Sequence, residues 1–124
     1  MIVLDSSALL AFLWDEPGGK AVEAALATGD AVCTVVNWSE VAAKVLAKDG
    51  DWTAAETALY GLGLVIAQIT ADDAISAARM WLKHPSLSLG DRLCLAVALR
   101  QQCTVMTADR MWAAVTGLVQ LVRH

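Results

Sequence analysis

Short apolar runs alternate with segments of helical pattern along the whole chain, and this alternation constrains the fold more than any other sequence feature. Five short, mostly apolar runs predict strands at residues 2–4, 31–35, 64–69, 104–106 and 119–122. The segments between them predict helices at residues 8–14, 20–27, 37–48, 71–83 and 91–102, with two more that start near residues 51 and 109. Apolar strands separated by helices are typical of a parallel sheet covered by helices on both faces.

The length of 124 residues predicts a single domain spanning residues 1–124. Hydrophobic residues make up 57% of the chain and charged residues 18%, a balance that excludes disorder for most of it. The longest apolar runs fall far short of the roughly 20 residues that a membrane-spanning helix needs. No Lys or Arg precedes Lys20, whereas a secretory signal has a basic start. We therefore expect no membrane association.

The cysteines and histidines argue against several kinds of site. Cys33, Cys94 and Cys103 are odd in number and form no CxxC pair, so we expect small buried hydrophobic residues in a reducing cytoplasm. The two histidines are His84 and His124, which gives little support to zinc binding or to Ser-His-Asp catalysis. The sequence contains neither a GxGxxG fingerprint nor a Walker loop, so a nucleotide cofactor is not expected.

The formal charge of −4 argues against non-specific coating of nucleic acid, which needs a strongly basic face. It does not exclude an enzyme that acts on nucleic acid. If four of the 13 acidic residues are metal ligands, the remaining acids balance the nine basic residues. Bound divalent cations would then supply the positive charge at the site.

Four acidic residues are placed similarly relative to the predicted sheet. Asp5 directly follows the first strand, and Asp109 follows the fourth. Glu40 lies in the first turn of the predicted helix after the second strand, and Asp91 starts the helix that leads into the fourth. Ligands of open parallel sheets bind beyond the carboxyl ends of the strands. If strands one, two and four are neighbours, the four carboxylates meet at one rim.

Carboxylates gathered in this way would repel one another unless their pKa values rise or a cation neutralises them. Oxygen ligands without His or Cys favour Mg²⁺ or Mn²⁺ over zinc. Such ions beside helix N-termini suit a phosphate ester substrate. The pattern therefore predicts a metal site that acts on phosphate esters.

Each acid also has a purely structural interpretation. Asp5, Asp91 and Asp109 stand where a helix N-cap belongs, and Glu40 could pair with Lys44 one turn later. Among the basic residues, Arg92 and Arg110 each follow a candidate acid and are the candidates for holding a phosphate. Five tryptophans could stack on bases, although at helical positions core or interface roles are commoner: Trp14, Trp38, Trp52, Trp81 and Trp112.

Four motifs resemble those of PIN-domain ribonucleases, in the same order and with similar spacing. They are IVLDSSALLA at residues 2–11, VNWSEV at 36–41, LSLGDRLCLA at 87–96 and VMTADRMW at 105–112. The compact length is similar to that of the VapC-type toxins of bacterial toxin–antitoxin pairs. Departures from the pattern are slight: Gly90 stands where Ala is common, and Met111 where a small residue is common.

The resemblance implies a three-layer α/β/α sandwich around a short, mostly parallel sheet of four to five strands. It implies Mg²⁺- or Mn²⁺-dependent endonucleolytic cleavage of RNA in the bacterial cytoplasm. It assigns the acidic roles to Asp5, Glu40, Asp91 and Asp109, with Asp5 and Asp91 the firmest metal ligands. Supporting roles fall to Ser7 and Thr107, which match a small polar residue and a hydroxyl residue of the family. It also implies a homodimer inhibited by a cognate antitoxin.

The mechanism expected from these residues is hydrolysis by a metal-activated water, which leaves 5′-phosphate and 3′-hydroxyl ends. Either Glu40 or Asp109 could instead act as the general base. One alternative is a different Mg²⁺ enzyme, but a receiver domain needs adjacent acids after its first strand, and a DxD phosphatase needs an acid at position 7, which is Ser7. The other alternative is a non-catalytic module that binds RNA or a protein.

Overall fold

The computed structural model describes residues 1–122, so the last two positions of the predicted domain, Arg123 and His124, lie outside the described residues. The described chain forms five strands, six α-helices and one 3₁₀ helix. In chain order they are β1 Ile2–Leu4, α1 Ser6–Leu13, α2 Gly19–Ala27, β2 Ala31–Thr34, α3 Val35–Ala47, α4 Trp52–Gly61, β3 Val65–Ala67, α5 Ala71–Lys83, α6 Leu89–Gln101, β4 Thr104–Thr107, the 3₁₀ helix Arg110–Ala114 and β5 Val119–Leu121.

All five strands are parallel and lie in the order β3-β2-β1-β4-β5. Strand β1 is central, and its Ile2 pairs with Ala31 of β2 on one side and with Thr104 of β4 on the other. The chain moves outward from β1 to β3 and then crosses back over β1 to β4. The carboxyl end of β1 is therefore next to the point where the chain reverses direction, which is where open α/β sheets bind ligands.

Helices cover both faces of the sheet, and side chains alternate between them. Leu4, Cys33 and Met106 face one layer, while Val3 and Val105 face the other. The first layer packs against α1 to α4 through buried residues such as Leu9, Val22, Val41 and Leu59. The second packs against α6 and the 3₁₀ helix through Leu95, Ala98 and Trp112. The predicted three-layer α/β/α sandwich is confirmed.

Two helices start earlier than the sequence predicts because a nearby hydroxyl takes the cap, and a third segment forms a different kind of helix. Helix α3 begins at Val35, since the side chain of Thr34 accepts from the backbone N–H of Asn37. Helix α6 begins at Leu89, since the Ser88 side chain accepts from the N–H of Asp91 at 3.1 Å. The residues after Asp109 form a short 3₁₀ helix instead of an α-helix.

No helix within residues 1–122 is long and apolar enough to cross a bilayer. The three cysteines are buried and free, as expected for small hydrophobic residues. Burial raises the pKa of the thiols of Cys33 and Cys94, and the nearby charge of Asp5 raises both further, so both stay neutral.

Candidate metal-dependent site at the carboxyl edge of the sheet

Asp5 is fixed at the end of the central strand by three hydrogen bonds. Its Oδ1 accepts from the Ser7 hydroxyl at 2.7 Å and from the backbone N–H of Ala8 at 2.8 Å, and its Oδ2 accepts from the Thr107 hydroxyl at 2.6 Å. The residue is buried and also caps the N-terminus of α1. Burial raises its pKa to about 6, although the three hydrogen bonds lower it. The carboxyl is thus held rigidly where ionisation is costly.

The two hydroxyls that donate to Asp5 also connect it to the segment after β4. Ser7 Oγ accepts from the N–H of Ala108 at 2.9 Å, and Thr107 Oγ1 accepts from the N–H of Asp109 at 3.0 Å. Since each hydroxyl proton is already donated to Asp5, each oxygen is free to accept from these backbone groups. Ser7 and Thr107, both predicted from the sequence, therefore tie the ends of β1 and β4 together.

Asp109 lies at the exposed side of this network. Its Oδ1 accepts from the N–H of Met111 at 2.9 Å, so its side chain caps the 3₁₀ helix. The predicted structural role as a helix cap is thereby confirmed for this residue, but the cap leaves the second carboxylate oxygen available.

Glu40 is positioned by a residue that the sequence analysis treated only as a helix start. Asn37 Nδ2 donates to Glu40 Oε1 at 2.6 Å, and the buried Asn37 amide oxygen accepts from the Thr34 hydroxyl at 3.2 Å. Because Thr34 caps α3, Glu40 lies in the second turn and not in the predicted first turn. Within residues 1–122, Glu40 makes no ion pair with Lys44, so that structural interpretation was wrong.

The carboxylate of Glu40 lies against the start of α6. A Cβ atom at Gly90 would stand 2.8 Å from Glu40 Oε2 and 3.1 Å from both Cδ and Oε1. Because Gly90 has no side chain, the end of Glu40 comes this close to the start of α6, which places Glu40 beside Asp91. The contact joins two helices whose starts are more than 50 residues apart in sequence, so no local pattern could reveal it.

Asp91 is the third residue of α6 and not its cap, which corrects the sequence prediction. Its Oδ2 accepts from the N–H of Ser88 at 3.3 Å, completing a reciprocal capping box. Partial burial raises its pKa, and the charges of Glu40 and Asp109 raise it further. The charge of Asp91 in turn contributes to the raised pKa of Asp5. Asp91 therefore lies within electrostatic reach of the other three carboxylates.

We call Asp5, Glu40, Asp91 and Asp109 the acidic edge. In the part of the chain that the structure describes, no three His, Cys, Asp or Glu side chains surround one point closely enough to hold a metal ion. The predicted residues lie along one edge of the sheet, but their carboxylates do not converge on one point. The carboxylates of Asp5, Asp91 and Asp109 instead accept hydrogen bonds from backbone N–H groups at helix N-termini. Its donors are carboxylate and hydroxyl oxygens, and the nearby thiols stay neutral, so this set fits a hard divalent cation.

The two candidate phosphate-binding arginines differ in their surroundings. Arg92 donates from Nη1 to the carbonyl of Ala77 at 2.9 Å and from Nε to the carbonyl of Leu87 at 3.3 Å. These bonds tie α6 to α5 and occupy much of its guanidinium. Arg110 is exposed beside Asp109. The Arg110 guanidinium is therefore more accessible to a ligand than that of Arg92.

The sequence model of the PIN domain matches residues 2–118. The chain belongs to the PIN domain family. The PIN motifs identified in the sequence supply every residue of the acidic edge, and the strand order places them at one end of the sheet. No curated protein matches the chain in sequence.

Solved structures share the fold over nearly the whole PIN domain. A toxin–antitoxin complex from Klebsiella pneumoniae is 19% identical with a TM-score of 0.82, covering 100% of this chain and 99% of that one. VapC20 of Mycobacterium tuberculosis, a toxin that cleaves the sarcin-ricin loop, is 17% identical with a TM-score of 0.72, covering 93% and 95%. VapBC2 of Rickettsia felis, bound to promoter DNA, is 15% identical with a TM-score of 0.72, covering 98% and 97%. At these identities, the likeness establishes the fold alone.

Proposed function

We propose that this PIN domain is a Mg²⁺- or Mn²⁺-dependent endoribonuclease and the toxin of a toxin–antitoxin pair in the bacterial cytoplasm. The observation that carries the proposal is the buried Asp5 carboxyl, held by three hydrogen bonds at the end of the central strand and electrostatically coupled to Asp91. Ionisation of an acid buried in this way costs folding free energy. A cation in contact with it would offset that cost.

Asp5 and Asp91 are the residues that would hold the metal most firmly, with Glu40 and Asp109 completing the set. When bound, such an ion lowers the pKa of a coordinated water and stabilises charge on the phosphoryl oxygens. The hydroxyls of Ser7 and Thr107 keep Asp5 oriented, and the amide of Asn37 does the same for Glu40. Either Glu40 or Asp109 takes the proton from the attacking water.

The nucleophile in this proposal is water and not the 2′-hydroxyl of the RNA. The expected products therefore carry 5′-phosphate and 3′-hydroxyl ends. The test is to incubate the purified chain with total RNA and Mg²⁺, beside an Asp91→Asn variant, and to map the ends. Metal-dependent fragments that the variant does not produce would support the proposal, and 2′,3′-cyclic phosphate ends would contradict it.

We further propose a cognate antitoxin as the partner, with a basic segment that lies on the acidic edge. The similar structure from Klebsiella pneumoniae is a toxin–antitoxin complex, and the one from Rickettsia felis is VapBC2 bound to promoter DNA, which supports an antitoxin as the partner. Added basic peptide should inhibit cleavage competitively with RNA. Inhibition that is independent of RNA concentration would argue against binding at the acidic edge.

A homodimer is proposed through the exposed apolar side chains of α5. Ile75, Trp81 and Leu82 are 53%, 51% and 76% exposed, although they are large and apolar. Leu82→Glu should shift the sedimentation coefficient from dimer to monomer. A wild-type chain that sediments as a monomer at all concentrations would refute the assignment.

A non-catalytic RNA- or protein-binding module is the second candidate. It is favoured by one observation, that no three carboxylates converge among the described residues. The two candidates separate on metal titration, because a silent module needs no Mn²⁺ and leaves RNA intact. Saturable Mn²⁺ binding that Asp5→Asn abolishes would favour the enzyme.

A further inference from the structure

Helix α3 carries a row of charged residues that begins at the acidic edge. Glu40, Lys44 and Lys48 are spaced four residues apart, so they lie on one face of the helix and rise about 6 Å at each step. Both lysines are exposed, and neither makes an ion pair within residues 1–122. Two ammonium groups thus follow the acidic edge in a chain whose net charge is −4.

Trp14, at the end of α1, faces this row across a groove. Lys48 Nζ lies 4.0 Å from the centre of the Trp14 ring. Two adjoining cavities of about 290 and 280 Å³ share Trp14 and Lys44 in their linings. The second cavity extends to Ser7, whose hydroxyl donates to Asp5. A continuous groove therefore runs from the buried acid of the site, between α1 and α3, to Lys48.

The groove has the composition of a site for single-stranded nucleic acid. Ammonium groups contact phosphates as point charges, and an aromatic face stacks on any base. Trp14 lies seven residues beyond Ser7, about 10 Å along the helix axis. At about 3.4 Å per nucleotide of a stacked strand, this distance corresponds to about three nucleotides.

We propose that the groove between α1 and α3 binds the RNA strand on one side of the scissile phosphate. Lys44 and Lys48 contact its phosphates, and Trp14 stacks on a base about three nucleotides from the cleaved bond. The inference rests on the proposed function, because it names where the substrate of that site lies. It assigns to Trp14, one of the five tryptophans, a role in substrate binding.

Charge and the Trp14 ring together favour RNA over a peptide as the occupant. A basic segment would meet the ammonium groups of Lys44 and Lys48. An acidic peptide and an RNA strand both meet Glu16, which lines the groove, but only the RNA has bases that can stack on the ring of Trp14. An RNA strand that is cut at the acidic edge must extend away from it along the protein surface. The groove offers phosphate contacts that begin at Lys44, about one helical turn beyond Glu40.

The test is the double variant Lys44→Gln, Lys48→Gln, assayed on an RNA oligonucleotide at several salt concentrations. Its matched control is Lys20→Gln, Lys83→Gln, which removes the same charge from exposed lysines on α2 and α5. We expect KM to rise roughly tenfold with kcat little changed. The slope of log KM against log salt should fall by about 1.4, which is about 0.7 for each lost phosphate contact. The control should behave as the wild type.

A second pair of variants tests stacking. Trp14→Phe keeps an aromatic ring, whereas Trp14→Leu removes it, so KM should rise about fivefold or more only for the Leu variant. Thermal unfolding of both variants checks that the fold is kept. An equal rise in KM for Phe and Leu would contradict stacking on Trp14.

Binding of labelled single-stranded RNA in EDTA separates this proposal from the nuclease proposal. If the wild type cleaves RNA but the lysine double variant keeps its KM and salt slope, the groove assignment is overturned and the nuclease stands. If the wild type never cleaves RNA, the nuclease fails, and weaker RNA binding by the variant still supports the groove. If poly-glutamate of equal charge displaces the labelled RNA as effectively as unlabelled RNA does, the groove binds acidic protein segments, and the proposal is overturned.

Discussion

Replacing Asp5 with Asn removes a charge while keeping almost every contact. The carboxyl is 3% exposed and accepts three hydrogen bonds. An Asn oxygen can accept from Ser7 and Ala8 in the same way. Its amide can donate to Thr107 Oγ1 once that hydroxyl rotates. Asp5→Asn therefore keeps the cap of α1 and eliminates only the titration of the side chain.

The size of the effect follows from the raised pKa. Burial moves the Asp5 pKa from 3.8 to about 6, a shift of about two units, and each unit corresponds to about 1.4 kcal/mol. Because the folded state holds the proton more tightly, Asp5 favours folding fully below pH 3.8, and this contribution is lost as the pH rises to about 6. Because part of that contribution is already lost at pH 4, the wild type should lose about 2 kcal/mol from this group between pH 4 and pH 7.5.

The assay is urea unfolding of the wild type and Asp5→Asn in EDTA at pH 4, 5, 6 and 7.5. The difference in unfolding free energy should change by about 2 kcal/mol in favour of the variant across that range. Asp51→Asn is the matched control, because Asp51 also caps a helix but is exposed. A difference that stays constant within 1 kcal/mol from pH 4 to pH 7.5 would refute the reasoning.

Mg²⁺ extends the same measurement to the proposed metal site. At a concentration 100 times its dissociation constant, a ligand of the folded state stabilises it by about 2.7 kcal/mol. Mg²⁺ should therefore raise the stability of the wild type at pH 7.5 and leave that of Asp5→Asn nearly unchanged. Equal stabilisation of both proteins would remove Asp5 from the metal ligands.

Three further substitutions test contacts that position the site or hold the fold. Gly90→Ala should lower cleavage by only about threefold with little change in Tm, because the flexible end of Glu40 can shift to admit the new methyl group. Asn37→Ala should cost about 1–3 kcal/mol in urea unfolding and also slow cleavage, since it leaves both Glu40 and a buried hydroxyl without a partner. Arg100→Ala should lower the stability at pH 7 by releasing the buried Asp73, and should lower it less at pH 3.

Each of these predictions has a result that would contradict it. A roughly 100-fold loss of cleavage in Gly90→Ala would contradict the view that the end of Glu40 can shift to admit the methyl group. An Asn37→Ala variant with normal stability would mean that the amide is not buried in solution. For Arg100, the pair lowers the pKa of Asp73, so its stabilisation exists above the ordinary pKa of 3.8 and is lost as the pH falls. An equal cost at pH 3 and pH 7 would exclude that linkage.

The sequence was sufficient for the sheet and for the edge at which the acids lie, because both follow from local signals. Parallel strands end at one edge, so an acid directly after a strand, such as Asp5 or Asp109, has its place set by chain geometry. The S-x-x-D capping box at Ser88 was also readable, and applying it would have placed the start of α6 correctly.

The parts that sequence reasoning missed depend on how helices approach one another. Glu40 meets Gly90 only because α3 and α6 pack closely at the carboxyl edge. Arg92 was a candidate phosphate ligand because it follows Asp91, yet its direction on α6 points it to the carbonyl of Ala77. Spacing along a chain locates a side chain on an element, but the neighbouring elements determine what that side chain contacts.

The hydrogen bonds that cap helices here are also those that fix the acidic edge. Asp5 caps α1, and Asp91 closes the capping box of α6, so removing either carboxyl changes both the fold and the site. Ala at these positions would lose about 1 kcal/mol of capping as well as the charge, whereas Asn keeps a side-chain oxygen for the cap. The stability difference between the Asn and Ala variants therefore measures the cap. Any loss of metal binding that the Asn and Ala variants share is due to the lost carboxylate charge, on which the proposed chemistry depends.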